Sequence, residues 1–285
     1  MKKTSKFSLY SFALIFLSIF VVACSNGEST IDNSTEEAVS EEQKNLVIGA
    51  TSGPYADMVR EGIAPLLEER GYTVEIKEFT DYVQPNNALA SGELDANLFQ
   101  HIIYLEEFSK ENNLDLTPLI QVPTAPMGIF SNTYDSLADV EEGAEFSLPG
   151  DATNAARAYN ILEREGLVKL ISDVNPLTTS KQDVEENPYN LSFVEIEAAG
   201  LPRAIESSDL TAVPGNFALA SGLDLTTALA LENMDDNYRN RVVVRTEDAE
   251  SQFAKDIIEI IKSEEFDRII DEKFQGFDKP DYTKE

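Results

Sequence analysis

Short apolar runs alternate with longer stretches of helical period through most of this chain, and that rhythm restricts the fold more than any other feature. LVIGAT, from Leu46, has the length and content of a buried strand. PYADMVREGIAPLLEER follows as a helix. Pro54 suits its first turn, Pro65 can kink it, and Gly71 closes it. YTVEIKEF then alternates with a period of two, as a strand does. A helix over 83–91, a strand in LDANLF, a helix over 101–112 and a strand in LDLTPLIQV continue the series. This βαβα order with short connections predicts an α/β fold, with a mostly parallel sheet covered by helices.

The rhythm restarts at Met127. EFSLPG reads as a strand and turn, DATNAARAYNILEREG as a helix, and LVKLIS, LSFVEIEA and LTAVPG as further strands. VVVR, ending at Arg245, is one more strand, and helices near 248–262 and 264–273 finish the chain. A second α/β unit inserted into the first accounts for this order. We divide the chain into a first lobe over 46–126, a second lobe over 127–238, and a completion of the first over 239–285. A ligand site is expected between the lobes, where strand ends and helix N-termini converge.

What precedes Leu46 is of another kind. Lys2, Lys3 and Lys6 stand before an apolar stretch from Phe12 to Val22, followed by Ala23 and Cys24. This is export-signal architecture, too short for a permanent span. Residues 1–23 are therefore read as a signal peptide. Residues 24–45 are polar and acidic, with little to bury, and read as a tether. VVAC resembles a bacterial lipobox. That resemblance implies cleavage before Cys24, diacylglycerol on its sulfur, and a mature protein on the extracytoplasmic face of a cell membrane.

Composition excludes several function classes. Cys24 is the only cysteine, so no internal disulfide staples the fold. The net charge is −30, and loss of the three signal lysines makes the mature chain more negative still. Such a surface repels nucleic acid and anionic lipid. With one histidine, one cysteine, no HExxH, no phosphate loop and no GxSxG, the usual nucleophile–base pairs and metal clusters are missing. We therefore expect no enzyme, no cofactor and no metal.

The candidate site residues each allow two readings. His101 and Tyr104 lie three apart at a helix start, with Phe99 and Tyr82 nearby. They can form an aromatic wall with a polar handle, or a capping histidine beside core aromatics. Asn154 and Arg157 share a face in the opening turns of a helix that Asp151 or Thr153 can cap. There Arg157 can clamp a carboxylate, or pair with one of many surface acids. Asn216 and Asn240 can contact a ligand or hold their own turns.

The segments EFTDYVQPNNALASGELDANLFQHIIYLEEF, SLPGDATNAARAYNILEREGLVKL, VEENPYNLSFVEIEAAGLPRAI and VPGNFALASGL together resemble the NlpA/MetQ family of methionine-binding lipoproteins. The resemblance runs over about 46–275. It implies a two-lobed type II periplasmic-binding-protein fold that closes on its ligand and docks on an ABC permease with a cytoplasmic ATPase. It also implies capture of L-methionine for import, with no chemistry performed. Tyr82, His101 and Tyr104 would wall the ligand side chain. Arg157 would clamp the carboxylate beside Asn154, and Asn216 and Asn240 would hold the ligand backbone. On that basis, removal of Arg157 is expected to weaken binding by about 2–5 kcal/mol and leave the fold intact. Ala125 before Pro126, and Gly200, depart from the family pattern near the lobe interface and leave the pocket volume open. A Met-containing dipeptide, a related amino acid, or a non-transport adhesion or scaffold role stay as alternatives.

Overall fold

The computed structural model describes residues 44–283. The signal segment, Cys24 and nearly all of the acidic tether lie outside the described residues. Twelve strands follow in chain order among the described residues: β1 Asn45–Thr51, β2 Thr73–Phe79, β3 Ala96–His101, β4 Leu116–Gln121, β5 Gly128–Phe130, β6 Glu145–Pro149, β7 Lys169–Leu170, β8 Val184–Glu186, β9 Ser192–Ile196, β10 Leu210–Val213, β11 Ala230–Leu231 and β12 Asn240–Arg245. The α-helices are α1 Pro54–Met58, α2 Ala64–Glu69, α3 Gln84–Ala90, α4 Ile102–Asn112, α5 Ala152–Arg164, α6 Leu201–Ala204, α7 Gly215–Ala220, α8 Gln252–Ile261 and α9 Glu264–Lys273.

Two five-stranded sheets carry the architecture, in the orders β2-β1-β3-β12-β4 and β11-β5-β10-β6-β9. In the first, β12 runs antiparallel to both its neighbours, while β1 is parallel to β2 and β3. In the second, β5 is the antiparallel strand. Each sheet is therefore mostly parallel with one opposed strand. The chain passes between the sheets twice, from β4 to β5 and from β11 to β12.

Local chemistry explains the elements. The helix starting at Pro54 is continuous through Pro65 because residues Val59–Ile63 form a π-turn, in which the Ala64 N–H donates to Val59 O. The wider turn accommodates a proline that cannot donate and whose ring would crowd an ordinary helical carbonyl. Gly71, at φ 90°, ends the segment, with N–H groups of residues 70–72 returning to the last helical carbonyls. In α8 the buried positions Phe253, Ala254, Ile257, Ile260 and Ile261 make one apolar stripe, and Ser251 caps its start.

The sequence expectation for LVKLIS is corrected. Only Lys169–Leu170 is extended there, and it pairs with β8 in a separate two-stranded ribbon. Leu167 and Leu170 are buried in the second sheet's core, so the apolar run reports packing of a connection rather than a sheet strand. The short strands β5 and β11 have too few residues to show a period.

Each sheet has its own core. Tyr55, Leu67, Leu98, Ile257 and Phe266 belong to the first, and Phe146, Leu148, Tyr159 and Leu210 to the second. Among the described residues no helix is long and apolar enough to cross a membrane.

Candidate functional site

Strand ends and helix starts from both sheets meet at one cavity. Tyr82, His101, Tyr104, Asn154, Arg157, Asn216 and Asn240 all line it, with Tyr55, Phe99, Gln100, Thr124, Ala125 and Gly215. The first sheet contributes the end of β3, the start of α4 and the start of β12. The second contributes the first turns of α5 and α7.

His101 closes β3 and caps α4. Its Nδ1 accepts the Tyr104 backbone N–H at 3.1 Å, so the ring proton sits on Nε2, 3.3 Å from Asn154 Oδ1. Capping and facing the cavity, which the sequence posed as alternatives, are thus both satisfied by one imidazole. Burial, with Arg157 nearby, pushes the His101 pKa down to about 3. The folded protein then refuses a proton that the unfolded chain accepts below 6.5. Stability from this group is complete above that pH and is lost as pH falls towards 3, by up to about 1.4 kcal/mol per pH unit. Denaturant titrations at about pH 7 and pH 4.5 are expected to show a smaller acid loss in His101→Asn than in the parent. Carboxylates contribute to both proteins, so equal losses would remove the histidine from the account.

Tyr82, Phe99 and Tyr104 form the aromatic side. Their ring centroids lie 5.8–5.9 Å apart, and Phe217 backs Tyr82 at 5.0 Å. The Tyr104 hydroxyl donates to Tyr82 O, and the Tyr82 hydroxyl donates to Asn216 Oδ1 at 2.6 Å. That second bond joins a residue after β2 to one in α7, and so ties the two sheets together. Asn216 Nδ2 is buried with no hydrogen-bond partner among the described residues. A buried amide left unmade is costly, so a donor aimed into a cavity points to an acceptor that belongs there. Asn240 Nδ2 donates to Phe99 O, which fixes the amide against β3.

Asp151 caps α5 by accepting the Asn154 N–H. Asn154 Oδ1 in turn accepts from Arg157 Nη1 at 2.9 Å. Arg157 is not a surface residue, since its side chain is 6 % exposed. It is nonetheless paired with an acid. Its Nε and Nη2 donate to Glu232 Oε1 and Oε2 at 2.8 and 2.5 Å. Burial opposes the guanidinium charge, but Glu232 outweighs it and holds the Arg157 pKa above its ordinary value. The Tyr238 ring lies 5.3 Å from Arg157 Cζ and edge-on to His101.

Sequence reasoning missed Tyr55, Thr124, Gly215, Glu232 and Tyr238. Tyr55 had a signal, because it follows β1 at a helix start, the same placement as Asn154. Glu232 had none among so many acids. Of the two departures, Ala125 lines the cavity, whereas Gly200 lies in a wider groove with Ser52, Thr80 and Arg203. Among the described residues no group of His, Cys, Asp and Glu is arranged to hold a metal.

Comparison with known proteins identifies the family. The family model for NlpA lipoprotein matches residues 46–282. The methionine-binding lipoprotein MetQ of Bacillus subtilis is 33 % identical over 95 % of this chain and 97 % of its own. The D-methionine-binding lipoprotein MetQ of Salmonella typhi is 34 % identical over 73 % of this chain and 78 % of its own. Among solved structures, a nutrient binding protein from Burkholderia cenocepacia bound to methionine is 33 % identical, with a TM-score of 0.77 over 81 % of this chain and 97 % of that one. The architecture is the two-lobed periplasmic-binding-protein fold, and the chain belongs to the NlpA lipoprotein family.

Proposed function

We propose that this protein is an extracytoplasmic receptor that captures methionine between its lobes for ABC-transporter import and performs no chemistry on it. The observation that carries the reading is the cavity's lining. An aromatic side formed by Tyr82, Phe99 and Tyr104 faces polar groups with unused capacity, the Asn216 amide and the guanidinium of Arg157. An apolar thioether against the rings gains about 1.5–3 kcal/mol by burial, with a weak sulfur–aromatic attraction added. The α-carboxylate goes to Arg157 with Asn154 beside it, and Asn216 and Asn240 hold the ligand backbone.

The lobes in this reading divide at 126/127 and 238/239, within the two crossover segments. Closure brings Tyr82 to Asn216 and seals the cavity for docking on a permease driven by a cytoplasmic ATPase. Lipid on Cys24 holds the mature chain at the membrane, and 24–45 spans from anchor to lobes. Intact mass of protein purified from membranes tests that part. A mature chain that retains Ala23, or an unmodified Cys24, overturns it.

Calorimetry on protein freed of endogenous ligand tests the ligand. L-methionine, D-methionine, glycyl-methionine and the other amino acids are titrated in turn. Methionine is expected to bind tightest. Preference for the dipeptide replaces the free amino acid with a peptide, and no binding by any of them moves the protein to an adhesion or scaffold role.

A further inference from the structure

Glu232 is an acid that the proposed capture of a carboxylate does not call for. It stands on the segment returning from β11 to β12, and its side chain is 5 % exposed. Two bonds to Met127, on the other crossover, hold it in place. Its backbone N–H donates to Met127 O at 2.9 Å, and its Oε2 accepts the Met127 N–H at 3.1 Å. Its carboxylate takes the Nε side of the Arg157 fork, and Asn154 takes one Nη1 hydrogen. A guanidinium has five N–H donors. One hydrogen on each terminal nitrogen is left for a ligand.

We propose that Glu232 is a specificity-determining residue, which cancels the charge of Arg157 and so makes the cleft select ligands of zero net charge. The inference rests on the amino-acid reading above. Among the described residues, Arg157 is the one cationic side chain in the cavity lining, and no carboxylate lines it. Asp151, the N-cap of α5, is partly exposed, and its carboxylate is engaged by the helix N-terminus and the Asn154 amide. The buried pair therefore sums to zero. A lone carboxylate entering against Arg157 would share the guanidinium with Glu232 and leave one uncompensated negative charge out of water, which is strongly unfavourable. A zwitterion brings its own ammonium and leaves the sum at zero. Without Glu232, Arg157 would accept any small carboxylate with an apolar tail.

The test uses methionine and 4-(methylthio)butanoate, which keeps the thioether and carboxylate and has hydrogen in place of the ammonium. The parent is expected to bind the anion far more weakly than methionine. Glu232→Gln, which keeps the shape and removes the charge, is expected to narrow that ratio by about tenfold or more. Glu232→Asp, which keeps the charge, is expected to retain the parent ratio even where both affinities fall. Equal weakening of both ligands in Glu232→Gln, or the same narrowing in Glu232→Asp, makes Glu232 a structural residue and overturns the proposal. If Glu232→Gln is unstable without ligand, millimolar anion is expected to raise its Tm and to leave the parent's unmoved, and equal shifts overturn the proposal. Failure of the parent to bind methionine counts against the methionine reading alone. Leucine and 4-methylpentanoate then form the pair for the same comparison.

Discussion

Arg157→Ala is expected to weaken methionine binding by about 2–5 kcal/mol, roughly 30- to several-thousand-fold, and to lower the stability of the empty protein as well. The first effect follows from leaving a ligand carboxylate in a closed cavity without its cation. The second corrects the expectation from sequence, in which the fold stays intact. Arg157 and Glu232 are both nearly fully buried and bonded side-on to one another. Removing one partner leaves the other as an unpaired buried charge, at a cost of about 3–5 kcal/mol. The two effects separate in a second variant. Arg157→Ala combined with Glu232→Gln is expected to recover most of the lost stability and none of the binding. Arg157→Lys is expected to restore only part of either, because a point charge cannot span both Glu232 oxygens and Asn154 as the planar fork does. Denaturant unfolding and calorimetry read the two quantities independently. Parental melting and parental affinity in Arg157→Ala would return the residue to a passive ion pair.

Phe266→Ala is expected to destabilise the protein by about 3–5 kcal/mol, the range for truncating a fully buried phenylalanine. Phe266 is 0 % exposed on α9 and belongs to the first sheet's core. It packs on the π-turn after α1, where a Cβ on Gly62 would lie 3.0 Å from its ring. The bare glycine and the ring therefore fit as a pair, and neither neighbour can fill the space the ring leaves. Phe266 lies outside the cavity lining, so methionine affinity of the folded fraction is expected to match the parent. A fall in affinity at conditions where the variant is fully folded would show that the C-terminal helices do more than complete the core. A loss under about 1 kcal/mol would show that the site collapses freely.

The elements legible in the sequence were those that express a local rule. The stripe of α8, the proline and glycine that bound the first helical segment, and the alternation in β2 all arise within one segment, from side chains whose burial repeats with its own period. The seven candidate residues were legible for a related reason. They sit at strand ends and helix starts, and the residues around them carry the family pattern. Sequence alone therefore reached the α/β class and the family resemblance, and listed candidate residues that line a single cavity.

Tertiary structure decided what depends on partners far away in the chain. LVKLIS has strand composition, yet its leucines serve the second core, and its two extended residues pair with β8 outside both main sheets. Strand β3 is buried at all six positions, because β1 and β12 flank it, so no alternation marked its ends. The His101 ring proved to be cap and cavity wall together, because α5 happens to bring Asn154 to its second nitrogen. The partner of Arg157 is the clearest case. Seventy-five positions separate it from Glu232, and nothing in LENMDD distinguishes that acid from its neighbours. Only the meeting of the two crossovers at Met127 turns its carboxylate inward. A side chain's chemistry is local and can be read from the sequence. The company in which its charge is buried is set by the fold.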